Sequence, residues 1–110
     1  MNCRHTIPQL VDWHRRFGPQ GLVVIGIHSP EFAWEKPLDK VTSACRALGI
    51  PYPVALDNDF ATWNRYRTRY WPTLHLIDKR GVIRYTRIGE GGYGEMEARI
   101  RRLLEEPRSP

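Results

Sequence analysis

The sequence predicts an α/β fold, and three observations predict it. Helix-spaced apolar residues alternate with short β-type runs along the 110 residues. The run from Leu22 to Ile27 is continuous, apolar and rich in Val and Ile, which reads as a strand buried on both faces. Thr73 to Asp78 and Val82 to Ile88 flank the turn Lys79-Arg80-Gly81, which reads as an antiparallel hairpin. A mixed sheet with flanking helices is expected, in a single domain covering 1–110.

Each element has its own signal. Ile7, Leu10, Val11, His14 and Phe17 recur at helical spacing over residues 3–17, with Pro8 in the first turn or at a kink and Gly18-Pro19-Gln20-Gly21 as the stop. After the Leu22–Ile27 run comes a loop, His28-Ser29-Pro30-Glu31-Phe32. A second helix is expected over 37–48. Pro37 suits its first position, Leu38, Val41, Cys45 and Leu48 form one face, and Gly49 ends it. Tyr52 to Leu56 lies between prolines and reads as a short edge strand. Asp57 or Asp59 is placed to cap a third helix over 60–68, with Phe60, Trp63 and Arg67 on one side. Four glycines between 89 and 94 connect the hairpin to a last helix over 93–105, striped by Met96, Ile100, Leu103 and Leu104.

Composition narrows the class. Hydrophobic residues are 41% and charged residues 26%, as in soluble globular chains. No run approaches the roughly 18 apolar residues of a membrane span. Met1-Asn2-Cys3-Arg4-His5 does not read as a signal peptide, because no apolar run leads to a small-residue cleavage site. Lys and Arg outnumber Asp and Glu, 17 to 12, with clusters at Arg65, Arg67, Arg69 and at Arg99, Arg101, Arg102. No nucleic-acid motif accompanies that charge, so it reads as solvated surface and no nucleic-acid partner is expected.

Several stretches carry a resemblance together and in order. Asn2-Cys3-Arg4-His5-Thr6-Ile7-Pro8 resembles the second half of a Cys-x-x-Cys motif and the helix it opens, with a proline five residues after the cysteine. Gly21-Leu22-Val23-Val24-Ile25-Gly26-Ile27-His28-Ser29-Pro30-Glu31-Phe32 resembles a redoxin strand and loop. Tyr52-Pro53-Val54-Ala55-Leu56-Asp57-Asn58-Asp59 resembles an insertion, and Tyr70-Trp71-Pro72-Thr73 a cis-proline loop. Leu76-Ile77-Asp78 with Gly81, and then Gly89-Glu90-Gly91, continue the likeness. The chain thus resembles the thioredoxin-like redoxins of the TlpA and DipZ carboxy-terminal-domain group.

The resemblance implies a thioredoxin-like fold whose amino-terminal strand and first active-site cysteine lie ahead of Met1. That strand would lie between those equivalent to 22–27 and 73–78. Three explanations are open: a fragment of a longer product, a misplaced start, or closure of the remaining strands on each other or on another copy. The first two are favoured, because an unpaired strand edge is costly.

The resemblance also implies site residues. Cys3 takes the resolving thiol's position, Pro72 the cis-proline's, and Trp71, Thr73 and Glu31 line the substrate. The implied activity is thiol-disulfide exchange, impaired in this chain because Cys3 has no partner three residues away; a non-catalytic binding or accessory module is the alternative. A peroxidase would need a peroxidatic cysteine, and none precedes Cys3. Implied partners are protein thiols and disulfides, with a membrane-bound electron donor as a candidate, in an extracytoplasmic setting. No cofactor is implied. His5, His28 and His75 have no paired ligand spacing, so no metal is expected, and His75 reads as a structural histidine in mid-strand. Cys45, on an apolar helix face, reads as core. A Cys3–Cys45 disulfide is allowed by count only. Of the tryptophans at 13, 34, 63 and 71, at least two are expected in the core.

Overall fold

The computed structural model describes residues 6–30 and 33–107. Ten elements follow one another along them. Four are α-helices: α1 (Ile7–Phe17), α2 (Leu38–Leu48), α3 (Ala61–Arg65) and α4 (Tyr93–Glu105). Four are strands: β1 (Gly26–His28), β2 (Val54–Leu56), β3 (Thr73–Ile77) and β4 (Ile83–Ile88). Short 3₁₀ turns occupy Gly18–Gln20 and Ala33–Glu35. The strands form two separate two-stranded sheets, β1 with β2 in parallel and β3 with β4 antiparallel. The residues fall into two compact units, Val24–Arg69 and the remainder of the chain.

In the unit that holds both chain ends, α1 and α4 pack on one face of β3–β4. Trp13 and Phe17 from α1, Leu76 from β3, and Met96 and Ile100 from α4 make the buried core, with Leu10, Leu22, Leu74, Tyr85, Leu103 and Leu104 around it. The heptad-like spacing of Leu10, Trp13 and Phe17 puts all three on one side of α1. Trp13 meets Tyr93 edge-to-face at 6.0 Å, and its indole N–H donates to Glu97 at 3.1 Å. Arg16 also pairs with Glu97, so one carboxylate ties both residues of α1 to α4. Pro8 sits in the first turn of α1, where its missing N–H costs nothing. Asp78 builds the hairpin turn: its Oδ1 accepts from the Arg80 and Val82 amides at 2.9 and 3.0 Å. Arg84 then bridges Asp78 and Glu106.

The other unit is built on β1–β2. Gly26, Ile27 and His28 stand opposite Val54, Ala55 and Leu56. A side chain at Gly26 would press on Val54 and Tyr52, at 3.2 and 3.3 Å from its Cβ, so this close strand approach favours glycine. Val41 of α2 and Tyr52 are the buried hydrophobic residues here. α2 ends at Gly49 in the left-handed region, φ 64°, where glycine carries no Cβ penalty.

Several expectations change in detail. The run from Leu22 to Ile27 contributes a strand only from Gly26, and it is not buried on both faces. Val23, Ile25 and Ile27 are 75%, 60% and 47% exposed, while the alternate residues are half-buried. Side chains alternate along an extended chain, so the exposed set lies on one side. α3 is five residues long rather than nine, because Arg67 turns left-handed at φ 54° and stops it. Pro37 is the residue before α2 rather than its first, and Leu38 is exposed, so the buried stripe of α2 is carried by Val41.

Candidate functional site: a cis-proline loop and a carboxylate clamp

The loop before β3 is a built structure. The Trp71–Pro72 peptide bond is cis, and Pro72 is buried. The Pro72 carbonyl accepts from the Gly89 amide at 2.9 Å, which fastens the loop to the end of β4. Thr73 Oγ1 donates to the Tyr70 carbonyl at 2.7 Å, closing the loop on itself. Thr73 then enters β3 opposite Ile88. Trp71 and Thr73 are half-buried and Tyr70 is 61% exposed, so the loop offers side chains to solvent from a fixed backbone. In the same unit, α1 begins at Thr6, which is 1% exposed. Its carbonyl accepts from the Gln9 and Leu10 amides, and its hydroxyl shares a 3.1 Å hydrogen bond with Tyr93. No acidic residue lies in the first turn of α1, and His14, Arg15 and Arg16 fill the last. The first turn of α1 thus carries no carboxylate to offset the positive end of its helix dipole.

Cys3 and Glu31 lie outside the described residues. By sequence Cys3 is three residues ahead of Thr6, within about 11 Å along the chain.

In the other unit, the end of β1 is clamped by a carboxylate. Ser29 Oγ donates to Asp57 Oδ2 at 2.7 Å. The Asp57 carboxylate also accepts from the Thr62 and Trp63 amides, both at 2.9 Å, at the start of α3. The Asp57 amide donates to the His28 carbonyl, so main chain and side chain grip the same loop. Burial alone pushes the Asp57 carboxyl up. The hydrogen bonds from Ser29 and the two amides outweigh it and hold the carboxyl below its ordinary range. His28 Nε2 contacts the Glu35 carbonyl at 3.1 Å. Asp59 Oδ1 accepts from the Ala61 amide, so both aspartates expected to cap α3 take part.

Other expected residues are more ordinary. Cys45 is half-buried and lines a groove of about 330 Å³ with Leu38, Val41, Ile50 and Leu56. It forms no disulfide among the described residues. His75 Nδ1 lies 2.9 Å from Thr86 Oγ1 on the paired strand, and burial pushes its pKa down. Trp13 is core, Trp63 and Trp71 are half-buried, and Trp34 is 66% exposed. No group of three potential metal ligands occurs among the described residues. No helix among them is long and apolar enough to cross a membrane.

Comparison with known proteins decides the family. The model of the AhpC/TSA family matches residues 1–86. The chain belongs to the AhpC/TSA family. Relatives of this AhpC/TSA chain include Protein DipZ of Mycobacterium tuberculosis, 46% identical over 106 residues. That match takes in 96% of this chain but 15% of DipZ, so the chain spans a small part of that relative. Thiol-disulfide oxidoreductase YkuV of Bacillus subtilis is 26% identical over 94% of this chain and 70% of its own length. A solved thiol-disulfide isomerase from Corynebacterium glutamicum superposes with a TM-score of 0.87 at 26% identity, covering 96% of this chain and 74% of that one. A solved thioredoxin-like superfamily protein reaches 0.89 over 98% and 75%. The fold of this AhpC/TSA member is thioredoxin-like.

Sequence reading missed three features of this region. Ser29 carried no signal, because its partner lies 28 residues away. The Thr6–Tyr93 bond spans 87 residues and was equally invisible. The left-handed Arg67 was hidden because the usual mark of such a position is glycine.

Proposed function

We propose that this protein takes part in thiol-disulfide exchange on protein disulfides, with Cys3, at the resolving thiol's position, as the thiol of these residues that forms a mixed disulfide. The observation that carries the reading is the position of Cys3. It lies within the residues matched by the family and three residues ahead of the buried Thr6 that opens α1. The Cys3 thiolate attacks one sulfur of a substrate disulfide. A new sulfur–sulfur bond forms at Cys3, the substrate bond breaks, and the departing thiolate takes a proton from water. Trp71, Thr73 and the loop at Pro72 are the proposed contacts for the substrate chain, with Glu31 as a further one. The half-buried side chains on a hydrogen-bonded backbone support that role.

Residues 1–110 hold two cysteines, Cys3 and Cys45, and no Cys-x-x-Cys pair. Release of a mixed disulfide at Cys3 needs a second thiol, so these residues by themselves are expected to stop at the mixed disulfide and not to complete a dithiol cycle. Insulin reduction with dithiothreitol checks this. Turnover should equal the dithiothreitol background; turnover well above it would contradict the reading. An extracytoplasmic setting with a membrane-bound electron donor is part of the proposal, and the likeness to the TlpA and DipZ group is what supports it.

A further inference from the structure

Arg87 occupies a position in β4 where the strand pattern favours an apolar residue. Tyr85 and Arg87 are half-buried while Arg84, Thr86 and Ile88 are exposed, so Arg87 points to the same face as Tyr85, which packs against the core. It stands opposite Leu74 in the register. Its guanidinium lies against the glycine-rich segment that follows the strand. Nη2 donates to the Glu90 carbonyl at 3.0 Å. A Cβ on Gly92 would lie 2.9 Å from Nε and 3.0 Å from Cζ, and one on Gly91 would lie 3.6 Å from Nη2. The guanidinium thus packs on the main chain of both glycines, which stand at φ 86° and 65°.

Segment 89–93 fastens both parts of the candidate site in this unit. At one end the Gly89 amide donates to the Pro72 carbonyl at 2.9 Å. At the other, the Tyr93 hydroxyl shares its 3.1 Å bond with Thr6, where α1 begins, and the Tyr93 ring meets Trp13 edge-to-face. Gly92 is also the residue before α4, and its carbonyl accepts from the Met96 amide. Between these ends Arg87 bonds to Glu90 and packs on Gly91 and Gly92. Packing alone does not account for an arginine here. Its Nε is buried without a hydrogen-bond acceptor, and its guanidinium has no carboxylate partner among the described residues. Both features cost stability that a methionine at this position would not. A planar fork bonded to a carbonyl and laid on two glycines is what methionine cannot reproduce.

We propose that Arg87 is a positioning residue for thiol-disulfide exchange, and that by fixing segment 89–93 it makes the site selective for polypeptide disulfides over small ones. This deepens the exchange reading and rests on it. Trp71, Thr73 and the loop at Pro72 are the proposed contacts for the substrate chain, and the Gly89 amide holds that loop at the Pro72 carbonyl. A polypeptide on either side of a disulfide uses those contacts. A small disulfide reacts at sulfur without them. Loosening the segment therefore removes orientation from the first reaction and leaves the second as it was. Arg87 acts through the segment, not by contact with the substrate.

The test uses the full chain carrying Cys45→Ser, so that Cys3 is its one thiol. Rates of mixed-disulfide formation at Cys3 are read by mass after quenching, with a disulfide-linked peptide dimer and with hydroxyethyl disulfide. Arg87→Met should slow the peptide reaction about tenfold and leave the small reaction within about twofold. Arg87→Lys keeps a donor for the Glu90 carbonyl and should recover part of the loss, ending about threefold below arginine. A merely structural role would move both rates together. Amide hydrogen exchange gives a second reading that needs no reaction at Cys3. In Arg87→Met the Gly89 amide should exchange about tenfold faster, while the Asp78 amide, bonded to the Val82 carbonyl at the other end of the hairpin, keeps its rate. An unchanged ratio of peptide to small-disulfide rates in Arg87→Met would overturn the proposal. So would an unchanged Gly89 exchange rate, or an Arg87→Lys chain no better than Arg87→Met. Failure of both disulfides to react with the arginine chain would sink the exchange reading, and the Gly89 result would still decide whether Arg87 fixes segment 89–93.

Discussion

Asp57 holds the loop after β1 against α3 through three hydrogen bonds, one from Ser29 and two from amides. It is 4% exposed, so water cannot replace those partners. Asp57→Asn keeps the shape, loses the charge, and turns one acceptor into a donor that faces donors. A loss of about 1–3 kcal/mol is expected, as for an orphaned buried group at a helix start. The pH dependence has a definite sign. The folded-state pKa of Asp57 is depressed, so its contribution is full above the unfolded value of about 3.9 and is lost as pH falls through the lower folded value. Urea midpoints should therefore separate the two chains at neutral pH and converge in strong acid. A gap that stays constant with pH would rule out the charged clamp. Half of this clamp was legible in the sequence: an aspartate just ahead of a helix pattern is a capping signal. The Ser29 half was not, because a contact across 28 residues leaves no local pattern.

Among the elements, α1 and α4 depend on each other through Trp13. Its ring is 2% exposed, and its N–H reaches Glu97. Trp13→Ala should cost about 3–5 kcal/mol, since a ring-sized cavity opens between α1, β3 and α4. Trp13→Phe keeps most of the packing and loses the bond to Glu97, so about 1–2 kcal/mol is expected. Equal losses for the two variants in denaturant unfolding would mean that the hydrogen bond, rather than the ring, is what α1 contributes. The reading of elements succeeded where a pattern was long or had clear ends. α4 matches its expected range, 93–105, because its apolar stripe persists for three turns. The hairpin was legible through its turn residues. It failed where a pattern was short. Six apolar residues in a row cannot say how many faces are covered, and Val23, Ile25 and Ile27 are exposed. The end of α3 was misread because Arg67, at about 1–2 kcal/mol of left-handed cost, does what glycine usually does.

At the scale of the molecule, order along the chain carried more information than any single motif. The fold class followed from alternating helices and strands and from one hairpin, and the thioredoxin-like superposition over 96% of the chain agrees with it. Candidate chemistry followed from the resemblance of the stretch around Cys3 to the second half of a Cys-x-x-Cys motif. The net charge of +5 said little by itself, because most described arginines of α1, β4 and α4 are spent on Asp12, Asp78, Glu95, Glu97 and Glu106.

The central claim is that Cys3, and not Cys45, is the exchanging thiol. Its most direct measurement is intact mass after incubation of the full chain with oxidised glutathione, for the unaltered protein, Cys3→Ser and Cys45→Ser. A single glutathione adduct is expected in the unaltered chain, kept in Cys45→Ser and absent in Cys3→Ser. An adduct that survives Cys3→Ser and disappears in Cys45→Ser, or no adduct in any of the three, would contradict the account.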